Sequence, residues 1–422
     1  MPDSVRPSAT CKKITARQVK PVFYGWTIVG VGTLLMATTR GIFQSFGVYF
    51  TALQAEFSWN RSTTSSAFSL YLLLIGVFAI VCGRISDKYG PKKIVLVMGL
   101  ITGLSLVLTS RVQTPLQLFF SYSILLSLGT GAMYNIVVST ISRWFDKKRG
   151  TALGIMGAGS SLGLMLIAPM SAWMIVTFGW RSAYFLTGVI AWGLIIPSAL
   201  VLIKSPDEIG AKPDGGASHL DLLTGPLIPI KEASLKSLLK DHNFWYHSII
   251  WFFYAFCLYM VMSHLVPRAQ DAGFAPLKAA ALLSLLTGVA IPARLLGGIL
   301  ADKFDRRIIT AAMSLALFGL MLWLAITAST WMFYVFAVGF GLVCGLLDPS
   351  TMALCTDVFD TTNLATLMGI LLISWGLGSA CGTYAAGAIF DHLGSYTYAF
   401  IAGSIGMLLA AACSMMLKLK NN

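Results

Sequence analysis

Three ionisable side chains sit in apolar runs that would ordinarily exclude them. Arg294 lies in GVAIPARLLGGILADKFDRR, two residues after Pro292. Asp348 lies in GLVCGLLDPSTMALC, and Arg40 comes just before GIFQSFGVYF. A guanidinium keeps its proton in such a setting and presents planar N–H pairs that match a carboxylate. A carboxylate removed from water takes up a proton more readily. The chemistry on offer is therefore anion recognition and proton exchange. Covalent catalysis is not indicated, because the chain has no GxSxG or HExxH motif. The absence of GxxxxGK[ST] argues against ATP as the energy source. The five histidines show no metal-ligand spacing and the seven cysteines form no CxxC pair, so neither a cofactor nor a metal is expected.

These residues must be positioned by membrane helices. Of 422 residues, 56% are hydrophobic and 11% charged, against about 25% charged in soluble domains; mean hydropathy is +0.77. The apolar runs are about 20 residues long without period-2 alternation, which favours helices over a barrel. The expected architecture is an all-α membrane protein with twelve spans: 23–52, 63–85, 94–110, 115–142, 150–177, 181–203, 245–266, 278–301, 308–327, 331–356, 364–390 and 396–417. Residues 1–22 read as a cytoplasmic tail with no apolar cleavable leader. A first six-span bundle covers 23–203, and a second covers 245–417. Between them lies a linker, 204–244, containing SPDEIGAKPDGG and ending in an amphipathic stretch that suits an interfacial helix. Residues 418–422 form a short tail.

The net charge of +13 does not point to nucleic acid, because the basic residues alternate between loops. With both termini in the cytoplasm, 23 of the 30 Lys and Arg fall in cytoplasmic segments and five in external loops. Arg40 and Arg294 remain inside spans. The chain also repeats. GRISDKYGPKK follows the second span and GILADKFDRR the eighth, so Gly83 and Asp87 correspond to Gly298 and Asp302, 215 residues later. Two parallel six-span halves are a transporter architecture.

At Gly83, Asp87, Gly90, Lys92 and Lys93 the chain resembles the signature loop of the major facilitator superfamily. RWFDKKRGTALGIMGAGSSLG (143–163), GIFQSFGVYFTALQAEFSWNR (41–61) and SHLVPRAQDAGF (263–274) are similar to the branch holding monocarboxylate transporters and oxalate–formate exchangers. The resemblance implies two pseudo-symmetric six-helix bundles in a cell membrane, for a bacterial homologue the inner membrane. It implies alternating access for small monocarboxylates such as lactate or pyruvate, with a proton. Carboxylate exchange without a proton, and a membrane sensor, are the alternatives.

In those families a span-eight arginine binds the substrate carboxylate, and the carry-over falls on Arg294; a structural pair with Asp348 or backbone carbonyls is the competing role. Gln44 stands where animal monocarboxylate transporters carry a span-one lysine, and Ala290 where they carry an aspartate. Asp348 is thus the candidate proton site, or else a packing group beside Pro349. Helix rise places Arg294, Asp348 and Tyr134 roughly 12–13 Å from the cytoplasmic surface, and Gln44 roughly 18 Å from the external one. Tyr134 and Asn135 suit a hydroxyl or carboxylate, or else a neighbouring helix. Arg40 suits substrate steering, snorkelling or a structural pair. His264 suits an interfacial or gating role. Asp87, Lys92, Arg143, Asp302, Arg306 and Asp357, with Asp360, form the expected cytoplasmic latch, each surface pair worth under about 1 kcal/mol.

Overall fold

A computed structural model describes residues 23–145, 148–213, 241–358 and 364–418. Among these residues every long element is a helix. The first part of the chain contains α1 (Tyr24–Gln44), α2 (Phe46–Phe57), α3 (Arg61–Tyr89), α4 (Pro91–Thr109), α5 (Pro115–Leu118), α6 (Leu126–Thr130), α7 (Met133–Trp144) and α8 (Arg149–Val201). A π-helical turn, Phe119–Leu125, joins α5 to α6. The second part contains α9 (His242–Asp271), α10 (Pro276–Lys303), α11 (Arg306–Ile326), α12 (Thr330–Val358), α13 (Leu364–Leu393) and α14 (Thr397–Met416).

Ten helical stretches among the described residues are long and apolar enough to cross a membrane. One of them, Thr151–Val201, has 51 residues, about 75 Å at the helical rise against a hydrocarbon core of about 30 Å. It breaks at Gly179, whose φ of 78° and ψ of 158° are non-helical. That break falls between the fifth and sixth spans read from the sequence. The first expected span is interrupted at Ser45, between α1 and α2. The linker boundary also shifts: α9 begins at His242, where Asp241 accepts a hydrogen bond from the Asn243 N–H at 2.9 Å, so residues 242–244 belong to the helix. The expected interfacial helix lies outside the described residues.

Local chemistry sets the other ends. Gly90 takes φ 87° and Pro91 opens α4, so the glycine of the signature loop serves the tight reversal between α3 and α4. Asp305 caps α11 through the Arg307 N–H at 2.8 Å, and its bond to the Arg307 side chain holds its carboxyl below the usual range.

Close helix contacts follow a repeat. A Cβ added to Gly159 or Gly163 of α8 would stand 2.4 and 2.0 Å from the carbonyls of Thr33 and Ala37 on α1. One added to Gly378 or Gly382 of α13 would stand 2.1 and 2.2 Å from those of Phe252 and Phe256 on α9. Every partner in the second pair of helices lies 219 residues after its counterpart, from Gly159 to Gly378 and from Thr33 to Phe252. Small residues four apart let backbones approach where lipid supplies no hydrophobic drive. The seam between the two parts follows the loop repeat: Ser69 donates to the Ala380 carbonyl and Ser284 to that of Met165, at 2.9 and 2.8 Å. Donors and acceptors alike are 215 residues apart, matching Gly83 and Gly298.

Candidate functional site

Glycines also bring the expected charges together. Gly341 and Gly345 of α12 press on the carbonyls of Leu286 and Ala290 on α10, where an added Cβ would approach within 2.2 and 2.7 Å. Gly297 meets Leu346 and Pro349 from the other side. With the helices this close, Arg294 reaches Asp348. Its Nε and Nη2 both lie 2.9 Å from Oδ2 of that carboxylate. The other oxygen, Oδ1, accepts a hydrogen bond from the Tyr254 hydroxyl of α9. Arg294 Nη1 donates to the Ser161 hydroxyl of α8 at 2.5 Å, so the cluster also joins the two parts of the chain. Side-chain exposure is 42% at Arg294 and 28% at Asp348, so the protein covers the pair only in part.

Tyr254 and Ser161 were not legible as site residues. Tyr254 is one aromatic among many in WFFYAF. Ser161 sits in GAGSSLG; Gly159 and Gly163 face α1 in the structure, and a residue two positions from each points elsewhere.

A second cluster belongs to the first part of the chain. The Arg40 guanidinium lies 5.5 Å from the ring centres of both Phe43 and Tyr134. It borders a recess that also includes Met36, Ile75, Thr130 and Met133. Tyr134 and Asn135 are exposed side by side at the start of α7, and Gln44 is half-buried at the α1 break. An aromatic wall links the clusters. Phe43 packs on Phe68, Phe68 on Tyr259, Tyr259 on Trp375 and Trp375 on Tyr254.

The end of the molecule opposite Phe23 and Lys418 is sealed across the two parts. Asp391 of α13 accepts from the backbone N–H groups of Arg61 and Ser62 at the start of α3, at 2.8 and 2.6 Å. The Arg61 side chain pairs with Asp271 at 2.8 Å, donates to the Tyr396 hydroxyl at 2.5 Å and lies 3.6 Å over the Phe390 ring. His264 is buried there between Tyr396 and the Thr383 carbonyl. Arg61 was read from the sequence as one more external-loop cation, and this seal was not foreseen. At the other end, the side chains of Asp87, Asp302 and Asp357, with Asp360, lie outside the described residues. Lys92 is exposed, Arg143 is half-buried, and Arg306 donates to the carbonyls of Ala301 and Ala353 within its own part. No group of three or more His, Cys, Asp or Glu among the described residues is placed to hold a metal.

Comparison with known proteins agrees with this architecture. The family model described as Major Facilitator Superfamily matches residues 29–309 and 269–421. Monocarboxylate transporter 13 of Bos taurus is 24% identical over 406 residues, covering 94% of this chain and 89% of that one. Monocarboxylate transporter 4 of Rattus norvegicus is 23% identical, covering 92% and 82%. Among solved structures, a bacterial homologue of the human lysosomal transporter Spinster, inward-facing and occupied, superposes with a TM-score of 0.74 at 16% identity. That match covers 93% of this chain and 96% of that one.

Proposed function

The chain belongs to the major facilitator superfamily, and from that premise we propose that it is a twelve-span secondary transporter of small monocarboxylates of the lactate and pyruvate kind, moving them with a proton by alternating access. The observation that carries this reading is the Arg294–Asp348–Tyr254 cluster. A fork that fits a carboxylate is occupied by one belonging to the protein. Substrate reaches Arg294 by replacing Asp348, and Asp348 releases the arginine when it takes a proton from the cavity. Anion and proton then load together, and the loaded site carries less uncompensated charge than separate ions would. The relatives named monocarboxylate transporters support the substrate class.

In this reading the termini are cytoplasmic, the sealed end is external, and the conformation opens toward the cytoplasm. Asp87, Lys92, Arg143, Asp302, Arg306 and Asp357 latch the inner end in the opposite state. The test is Asp348→Asn in proteoliposomes. Uphill lactate accumulation under a pH gradient should disappear, while lactate–lactate counterflow persists. Full uphill accumulation by that variant would remove the proton role.

A further inference from the structure

His264 is fully buried in the seal, and its hydrogen bonds fix its charge. Its Nε2 lies 2.9 Å from the Thr383 carbonyl of α13, which can only accept, so Nε2 carries a hydrogen. Its Nδ1 lies 3.0 Å from the Tyr396 hydroxyl. That hydroxyl already accepts from Arg61 Nη1 at 2.5 Å, which leaves its own hydrogen to turn toward Nδ1. The relay runs from Arg61 through Tyr396 and His264 to Thr383. Every donor in it meets an acceptor only while the imidazole is neutral.

A second proton on the ring breaks this order. Nδ1 becomes a donor facing a phenol that already accepts from a guanidinium, and the phenol hydrogen loses its acceptor. A buried donor left unpaired is costly. The charged groups around the ring add to the conflict. Arg61 comes from α3, Asp391 from α13 and Asp271 from α9 itself, while α2 supplies only the Phe50 ring. Arg268, one turn further along α9, is directed to the Thr327 carbonyl instead. Both carboxylates are already in use, Asp271 on the Arg61 side chain and Asp391 on the Arg61 and Ser62 N–H groups. An imidazolium competes for them, and each one it draws off is a tie of the seal. The other histidine at this end, His392 beside Asp391, is exposed.

We propose that His264 is a second proton-binding site, one that unlatches the sealed end. The relay carries this inference, and only the side it faces rests on the transporter reading above. The closed seal holds the ring neutral. Opening admits water, where an imidazole takes a proton near its ordinary pKa of about 6.5. The open form thus binds one proton more than the sealed form, so falling pH favours opening. Reclosure returns that proton to the side it came from. It sets the opening and does not travel with the cargo, which separates it from the proton assigned to Asp348.

The experiment is hydrogen–deuterium exchange of the full-length protein in lipid nanodiscs. It follows the Arg61 and Ser62 N–H groups that Asp391 holds, each rate divided by the chemical rate at that pH. Between pH 7.5 and 5.5 the corrected rates should rise about tenfold. His264→Gln keeps a donor for Thr383 and an acceptor for Tyr396 but does not titrate, so its rates should stay flat. Asp348→Asn and His392→Gln should keep the full rise. A flat wild-type profile overturns the latch, as does an undiminished rise in His264→Gln at an unchanged melting temperature. Should His264→Gln fail to fold, the other two variants decide: a rise lost in either assigns the titration to that group and overturns the latch. Lactate accumulation under a pH gradient tests the transporter reading separately, so a flat exchange profile with accumulation intact removes only the latch.

Discussion

At the scale of single residues, the difference between a guanidinium and an ammonium decides what Arg294 can do. Its Nε and Nη2 converge on one oxygen of Asp348 while Nη1 reaches Ser161 on another helix. A lysine carries the same charge but not this planar fork. Arg294→Lys should therefore lower lactate uptake by tenfold or more, about 1.4 kcal/mol, with little change in melting temperature; uptake assays and thermal unfolding would separate the two effects. The sequence exposed Arg294 and Asp348 because charges in apolar runs are conspicuous, and helix rise set them at one depth. It left open whether they met. It could not single out Tyr254 or Ser161, since a hydroxyl in an apolar helix looks the same whether it bonds its own turn or reaches across the molecule.

At the scale of elements, glycine spacing holds the helices at the distance the site requires. The backbone of α1 lies so close to Gly163 that a methyl group would stand 2.0 Å from the Ala37 carbonyl; at Gly382 the corresponding gap to Phe256 is 2.2 Å. Gly163→Ala and Gly382→Ala should each cost about 1–3 kcal/mol through overpacking. Gly154→Ala, where an added Cβ meets nothing within 4 Å, should be neutral. Thermal unfolding in detergent measures all three. Span positions were legible because apolar runs of membrane length leave few alternatives. The break at Ser45 and the π-helical turn at Phe119–Leu125 were not, because Gln44–Ser45 and FFSYSIL carry no proline and read as ordinary stretches of a span.

At the scale of the whole molecule, the closed end is held by contacts between the two parts of the chain. Asp391 accepts two backbone N–H groups at the start of α3, where a carboxylate also meets the helix dipole favourably. Hydrogen bonds to a charged group are worth about 1.5–3 kcal/mol. Asp391→Ala should therefore move the balance toward opening at that end by about tenfold or more. The readout is labelling of a cysteine placed at Tyr134 by a membrane-impermeant thiol reagent from the side opposite the termini. Unchanged labelling would show that Asp391 does not hold this end shut. The loop motif made the two-part organisation legible. The seal was not, because its members are ordinary-looking residues more than 200 positions apart.

The paired serines, Ser69 on Ala380 and Ser284 on Met165, carry one more implication. Because a duplication placed them, they resemble two identical pins on either side of one axle. In the proposed alternating access, rocking one part of the chain against the other would strain both pins alike.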